Sequence, residues 1–160
     1  KMPPVKTAES RKKTARPVVS PNFPIAVERF ASGWKVRNWG GPGVKPGLRK
    51  ELLGLQNVLL THPLSRQVPC VLSRKLDIPV GKQTALQFTV NNHPRGNWKL
   101  IVRINDEEVF SKSIEDSKWQ NFRIDLTKHA GKTVTLELEN QATGWSNEAG
   151  YWSRIELVSE

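Results

Sequence analysis

Apolar and polar residues alternate with a period of two through much of the second half of the chain. Phe122, Ile124 and Leu126 interleave with Arg123 and Asp125, and Val134, Leu136 and Leu138 interleave with Thr135 and Glu137. Such alternation sets one group of side chains on the buried face of a strand and the other on its outer face. Leu136 therefore reads as inward and Glu137 as its outward neighbour. In the last run Tyr151, Ile155 and Leu157 share one parity, and Trp152, Arg154 and Glu156 take the other. Upstream, Leu86, Phe88 and Val90 alternate, as do Trp98, Leu100, Val102 and Ile104, with Asn105-Asp106 as a hairpin turn into Val109–Ser113. Asn57–Thr61 and Pro69–Ile78 are further strand candidates, an opening strand is expected around Gly33–Asn38, and Leu48–Leu55 reads as a short helical turn. Together these predict about eight to ten short strands in an all-β, antiparallel β-sandwich or jelly roll, with less than about a sixth of the chain helical.

The connections between these runs differ in kind. Thr127–Lys132 is tight. Gly40–Gly47 is rich in glycine but lacks the closing Gly-Lys-Ser/Thr of a phosphate loop, so it reads as a surface connection. Asn91–Asn97 is dense in turn residues, and Gln141–Gly150 is a longer polar loop carrying Trp145.

An aromatic, a strand ending Asp125-Leu126-Thr127, then His129-Ala130-Gly131-Lys132 and a Val/Leu strand form a recognisable series. It continues with Gly144-Trp145, Asn147-Glu148-Ala149-Gly150-Tyr151-Trp152 and a closing strand. This series resembles the galactose-binding-like jelly-roll family. It is most similar to carbohydrate-binding-type modules at the ends of large secreted bacterial proteins. The resemblance covers roughly residues 28–160, and it implies a secreted, periplasmic or cell-surface location.

Composition changes the picture in two places. The 160 residues carry a net charge of +10, with a pI near 10.1 and a mean hydropathy of −0.51. Six basic residues against Glu9 give the first 20 residues +5 of that charge, and Lys1–Pro24 holds five prolines and no apolar periodicity. Residues 1–24 therefore read as an extended N-terminal arm or linker and residues 25–160 as the sandwich domain. A basic protein attracts polyanions or an acidic protein face. No run is long enough to cross a bilayer. The single cysteine, Cys70, excludes an internal disulfide and reads as a small buried hydrophobe.

Chemistry is sparse. His62, His93 and His129 have no carboxylate or nucleophile at a telling spacing, and no Gly-x-Ser-x-Gly elbow is present. Asp77, Asp106, Asp116, Asp125, Glu148 and Glu156 do not form a dense acidic loop, so no metal and no cofactor are expected. Asp125 reads as a strand-end residue that bonds the following turn.

Six tryptophans against one tyrosine are the stronger lead. Trp98 shares the core parity and Trp119 closes a sandwich end, whereas Trp34, Trp39, Trp145 and Trp152 lie in loops or on the less apolar parity. An indole offers sugars a flat apolar face and an N–H donor. The expected ligand-binding set is Trp39, Asn92, Arg95, Trp145, Asn147, Glu148 and Trp152, with Arg95 and Lys99 favouring acidic or sulfated glycans.

Three functions fit. The first is a non-catalytic module binding a polysaccharide, including anionic ones. The second is a structural accessory domain or subunit whose arm, residues 1–24, docks a protein partner. The third, nucleic-acid binding driven by the arm, is weakest, because the domain shows no recognition element. A hydrolase stands behind all three.

Overall fold

A computed structural model describes residues 20–40 and 43–160. Among them 54% are strand and 8% helix, so the architecture is the expected antiparallel sandwich. The elements in chain order are α1 (Phe23–Phe30), β1 (Lys35–Arg37), β2 (Gly47–Leu52), β3 (Leu55–Thr61), β4 (Cys70–Asp77) and β5 (Thr84–Asn92). They continue with β6 (Trp98–Ile104), β7 (Glu107–Ile114), β8 (Gln120–Asp125), a 3-10 turn (Thr127–His129), β9 (Thr133–Gln141) and β10 (Gly150–Ser159). One sheet has the order β1-β4-β9-β6-β7 and the other β2-β3-β10-β5-β8.

The alternating runs fill the space between the sheets. Leu72, Leu86, Phe88, Val90, Leu100, Val102, Val134, Leu136 and Leu138 are all buried in one core. Asn105 and Asp106 both adopt the left-handed backbone that a two-residue hairpin turn requires. Cys70 is buried, and burial pushes its thiol up to about 12, which removes it as a nucleophile at neutral pH. The Asp125 carboxylate accepts from the Thr127 N–H at 2.9 Å, and this bond holds its pKa below the usual carboxylate value.

Four local expectations are corrected. The segment read as the end of the arm enters α1: Phe23 and Val27, four apart, are both 1% exposed. Pro24 sits in the first turn, where its missing N–H costs nothing. The boundary expected after Pro24 therefore falls inside a helix, and the rest of the arm, residues 1–19, lies outside the described residues, as do Gly41 and Pro42 of the glycine-rich connection.

The helical turn expected at Leu48–Leu55 is instead the hairpin β2–β3. Its two-residue turn is Leu53-Gly54, with φ of 49° and 84°.

Glu137 lies on the outer face but is only 7% exposed, because Arg37 bridges it at 3.0 Å. Glu139 is held likewise by Arg103 at 2.7 Å.

Finally, Trp152 is wholly buried. The pairing of β10 with β5 slips by one residue between Trp152 and Arg154. This bulge turns Trp152 inward before it and Ile155 inward after it, so one parity cannot describe the whole strand.

Candidate functional site

The loops β3–β4, β5–β6 and β9–β10 meet at one end of the sandwich, and their contacts can be built up from Glu148. This carboxylate is 2% exposed. It accepts from the Thr143 N–H at 2.8 Å, the Ser146 N–H at 3.3 Å and the Thr143 hydroxyl at 3.3 Å. Glu148 thereby folds the β9–β10 loop around itself and holds Trp145 at its crest. The expected ligand role of Glu148 is corrected to a positioning one, since its oxygens already serve the loop.

Trp145 is half-buried. Its ring stands edge-on to His62, with centroids 5.3 Å apart. His62 is 4% exposed, and its Nδ1 lies 2.8 Å from the Pro63 carbonyl oxygen. Desolvation pushes the imidazole pKa down, against opposing pulls from the Pro63 carbonyl, the Glu148 carboxylate and the Gly40 carbonyl. The native ring therefore takes up a proton less readily than the unfolded one, which does so near pH 6.5. Stability from this site is complete above about pH 6.5 and is lost as pH falls toward the lowered folded value. Thermal melts from about pH 7.5 to 5.5 should show this loss in the wild type and a shallower slope in His62→Gln. Equal slopes in the two proteins would remove His62 as the cause.

The β5–β6 and β9–β10 loops touch backbone to backbone. A Cβ added at Gly96 would lie 2.0 Å from the Asn147 carbonyl oxygen, so only glycine allows this approach. The exposed Asn147 side chain donates to the Arg95 carbonyl at 3.4 Å, and the Thr143 hydroxyl reaches Asn97. Arg95 is exposed beside them.

Asn92 is fully buried: its amide donates to the carbonyls of His93 (2.9 Å) and Gly96 (2.8 Å), and its oxygen accepts from the Ser117 N–H (2.9 Å). The expectation that Asn92 fixes sugar hydroxyls is corrected, because it ties loops together from within.

The tryptophans sort by exposure and by the fate of their N–H. Trp98 donates to the Asn91 carbonyl, Trp119 to the Leu53 carbonyl, Trp39 to the Ser20 carbonyl, each at 3.0 Å, and Trp152 to Thr61 Oγ1 at 2.9 Å. Trp34, expected in a loop, is 2% exposed in the core beside α1. Trp39 is half-buried against Phe23 and bridges Pro63. Among the described residues, Trp145 alone combines partial exposure with an N–H that no protein group accepts.

The structure thus brings Trp145, Arg95 and Asn147 together at one surface and sets Glu148 and Asn92 beneath them. It places Trp39 to one side and Trp152 in the core. Sequence reasoning missed His62 as the support for Trp145, and it missed the exposed Arg66 and Gln67 on the neighbouring β3–β4 loop. The His62-Pro63 pair directly after a strand was the available signal.

No protein-family model matches the chain. An uncharacterised protein of Archaeoglobus fulgidus is 29% identical over 96 residues, which is 49% of this chain and 24% of that protein. The chain therefore matches well under two thirds of that relative's length. Among solved structures, a xylan-binding domain of the CBM22 type from Paenibacillus barcinonensis Xyn10C superposes with a TM-score of 0.57. It is 16% identical, over 81% of this chain and 86% of that one. The module TmCBM61, solved with β-1,4-galactotriose, gives 0.60 at 16% identity, over 91% of this chain and all of that one. The fold is the jelly-roll β-sandwich that these carbohydrate-binding modules also have. The same architecture carries a cyclase from Fischerella sp. TAU, with a TM-score of 0.55, 12% identity and coverage of 91% and 98%. The jelly roll alone thus does not separate a binding module from an enzyme. No helix among the described residues is long and apolar enough to cross a membrane.

Proposed function

We propose that this jelly roll is a non-catalytic carbohydrate-binding module of a secreted or cell-surface protein, with acidic or sulfated glycans among its ligands. The observation that carries the reading is the Trp145 crest: a half-exposed indole with a free N–H, on a loop whose Asn147 bonds the backbone of the exposed Arg95. An indole face takes sugar C–H groups, its N–H and the amide take hydroxyls, and the guanidinium takes a carboxylate or sulfate. The carbohydrate-binding modules that share the fold support a binding role.

A glycan array followed by titration of the best ligand tests this reading. Trp145→Ala should weaken binding about tenfold or more while leaving the melting temperature nearly unchanged, since the ring is only half-buried. Unchanged binding with a large fall in melting temperature would assign Trp145 to packing.

A further inference from the structure

Two cavities flank the edge strand β2, away from the Trp145 crest. One, of about 330 Å³, lies between the start of α1 and β2 and is lined by Ser20, Phe23, Lys45, Pro46, Leu48 and Arg49 among others. The second, of about 520 Å³, is lined by Arg49, Lys50, Glu51, Gln56 and Asn57. Both fall within the ~300–1,000 Å³ of ordinary ligand clefts. Arg49 lines both, so the two are consecutive along one strand.

The charge here is one-sided. Lys45, Arg49 and Lys50 face a single acid, Glu51, and none of the three basic residues forms an ion pair among the described residues. The Arg49 guanidinium donates to the Lys45 carbonyl, which fixes its direction between the cavities. The Ser20 hydroxyl at the inner wall is buried and has no hydrogen-bond partner among the described residues.

We propose that the β2 edge is a second binding site, for a linear anionic polysaccharide whose acidic groups are carboxylates or sulfates, with Arg49 contacting two successive units. The proposal rests on the glycan-binding reading above and adds a second place, with a linear ligand that spans more than one unit. β2 spans on the order of 17 Å at ~3.3 Å per residue, the reach of an oligomer rather than a single ring. The exposed Leu48 offers aliphatic surface to ring C–H groups, and the exposed Gln56 and Asn57 offer amides to hydroxyls. Nucleic acid suits the site less well, because the one aromatic among the lining residues, Phe23, is 1% exposed and cannot stack a base.

Trp39 stands between this site and the crest. Its indole N–H holds the Ser20 carbonyl at the cavity wall, and its backbone pairs with Pro63 beside His62.

The test uses the whole chain, so that the basic arm contributes equally throughout. Affinity electrophoresis is run in polygalacturonate, heparin, neutral β-1,4-galactan and xylan, with single-stranded oligothymidylate as the nucleic-acid arm. Arg49→Gln and Lys45→Gln are compared with Lys35→Gln, which removes the same charge from the exposed β1 of the other sheet. Arg49→Gln should weaken polyanion binding about tenfold, and Lys35→Gln should change it less than about twofold. Polygalacturonate against heparin tells carboxylate from sulfate. Equal losses in Arg49→Gln and Lys35→Gln, or no loss in Arg49→Gln, would overturn the site. So would tight oligothymidylate binding lost in parallel, which would mark a nucleic-acid surface. In those cases neutral-glycan binding that depends on Trp145 leaves the functional reading intact. A wild-type chain that retains none of the four glycans overturns both.

Discussion

Replacing Trp152 with alanine is expected to lower the unfolding free energy by about 3–5 kcal/mol, a large part of what a domain of this size commands. The side chain is fully buried and packs on Trp98 and Phe88, with centroids 5.4 Å and 6.0 Å away. Its N–H also feeds a closed polar knot: Thr61 Oγ1 accepts from Trp152 and from Asn140, each at 2.9 Å, and donates to the Gly150 carbonyl at 3.3 Å. Trp152→Phe keeps most of the ring and leaves Thr61 with Asn140, so it should cost about 1–2 kcal/mol. Urea titrations of the two variants measure both values. A near-normal midpoint for Trp152→Ala, with sugar binding lost, would restore Trp152 to the ligand surface.

Gly96→Ala is the second large effect. The new methyl group would sit 2.0 Å from the Asn147 carbonyl oxygen and 2.5 Å from its Cβ. Backbone lies on both sides, so neither loop can yield by turning a side chain, and the β5–β6 and β9–β10 loops must part. We expect a cost of about 1–3 kcal/mol and a loss of glycan affinity of about tenfold or more, because Trp145 is two residues from the displaced Asn147. Calorimetric melting and glycan titration read the two together. Wild-type values in both would mean the loops do not touch in solution.

These two residues also mark where the sequence stops being legible. The runs around Leu86, Leu100 and Leu136 could be read directly, because a half-buried strand in regular pairing enforces period two. Trp152 could not, because the slip in β10 reverses the parity within one strand, and nothing in Tyr151-Trp152-Ser153-Arg154 announces it. At Leu48–Leu55 the leucines at 48, 52 and 55 imitate a helical stripe. Gly54 was the hint of a turn, but Leu53 in a left-handed conformation is costly for its type and is anchored by a bond from Trp119, 66 positions away. At α1 the prolines obscured a genuine i, i+4 pair, Phe23 and Val27.

The candidate site was legible as a set of loops and polar residues but not as a division of labour. Arg95 and Asn147 are exposed and Trp145 is partly so. Asn92 and Glu148 look identical to them in the sequence, and only their partners, backbone groups in folded loops, show that they serve the scaffold.

The place of β10 has a consequence for how the domain is made. It runs between β3 and β5, and it is the last strand in sequence order. A chain emerging from the ribosome completes β2–β3 long before β10 arrives. Until Gly150–Ser159 is released, that hairpin and the β5–β8 pair have no strand to join them. The second sheet then closes in one late step that brings residues about 90 positions apart into register, Thr61 against Gly150. Closure of so distant a pair is slow compared with local hairpin formation. Before that step the second sheet remains open along the edges of β3 and β5.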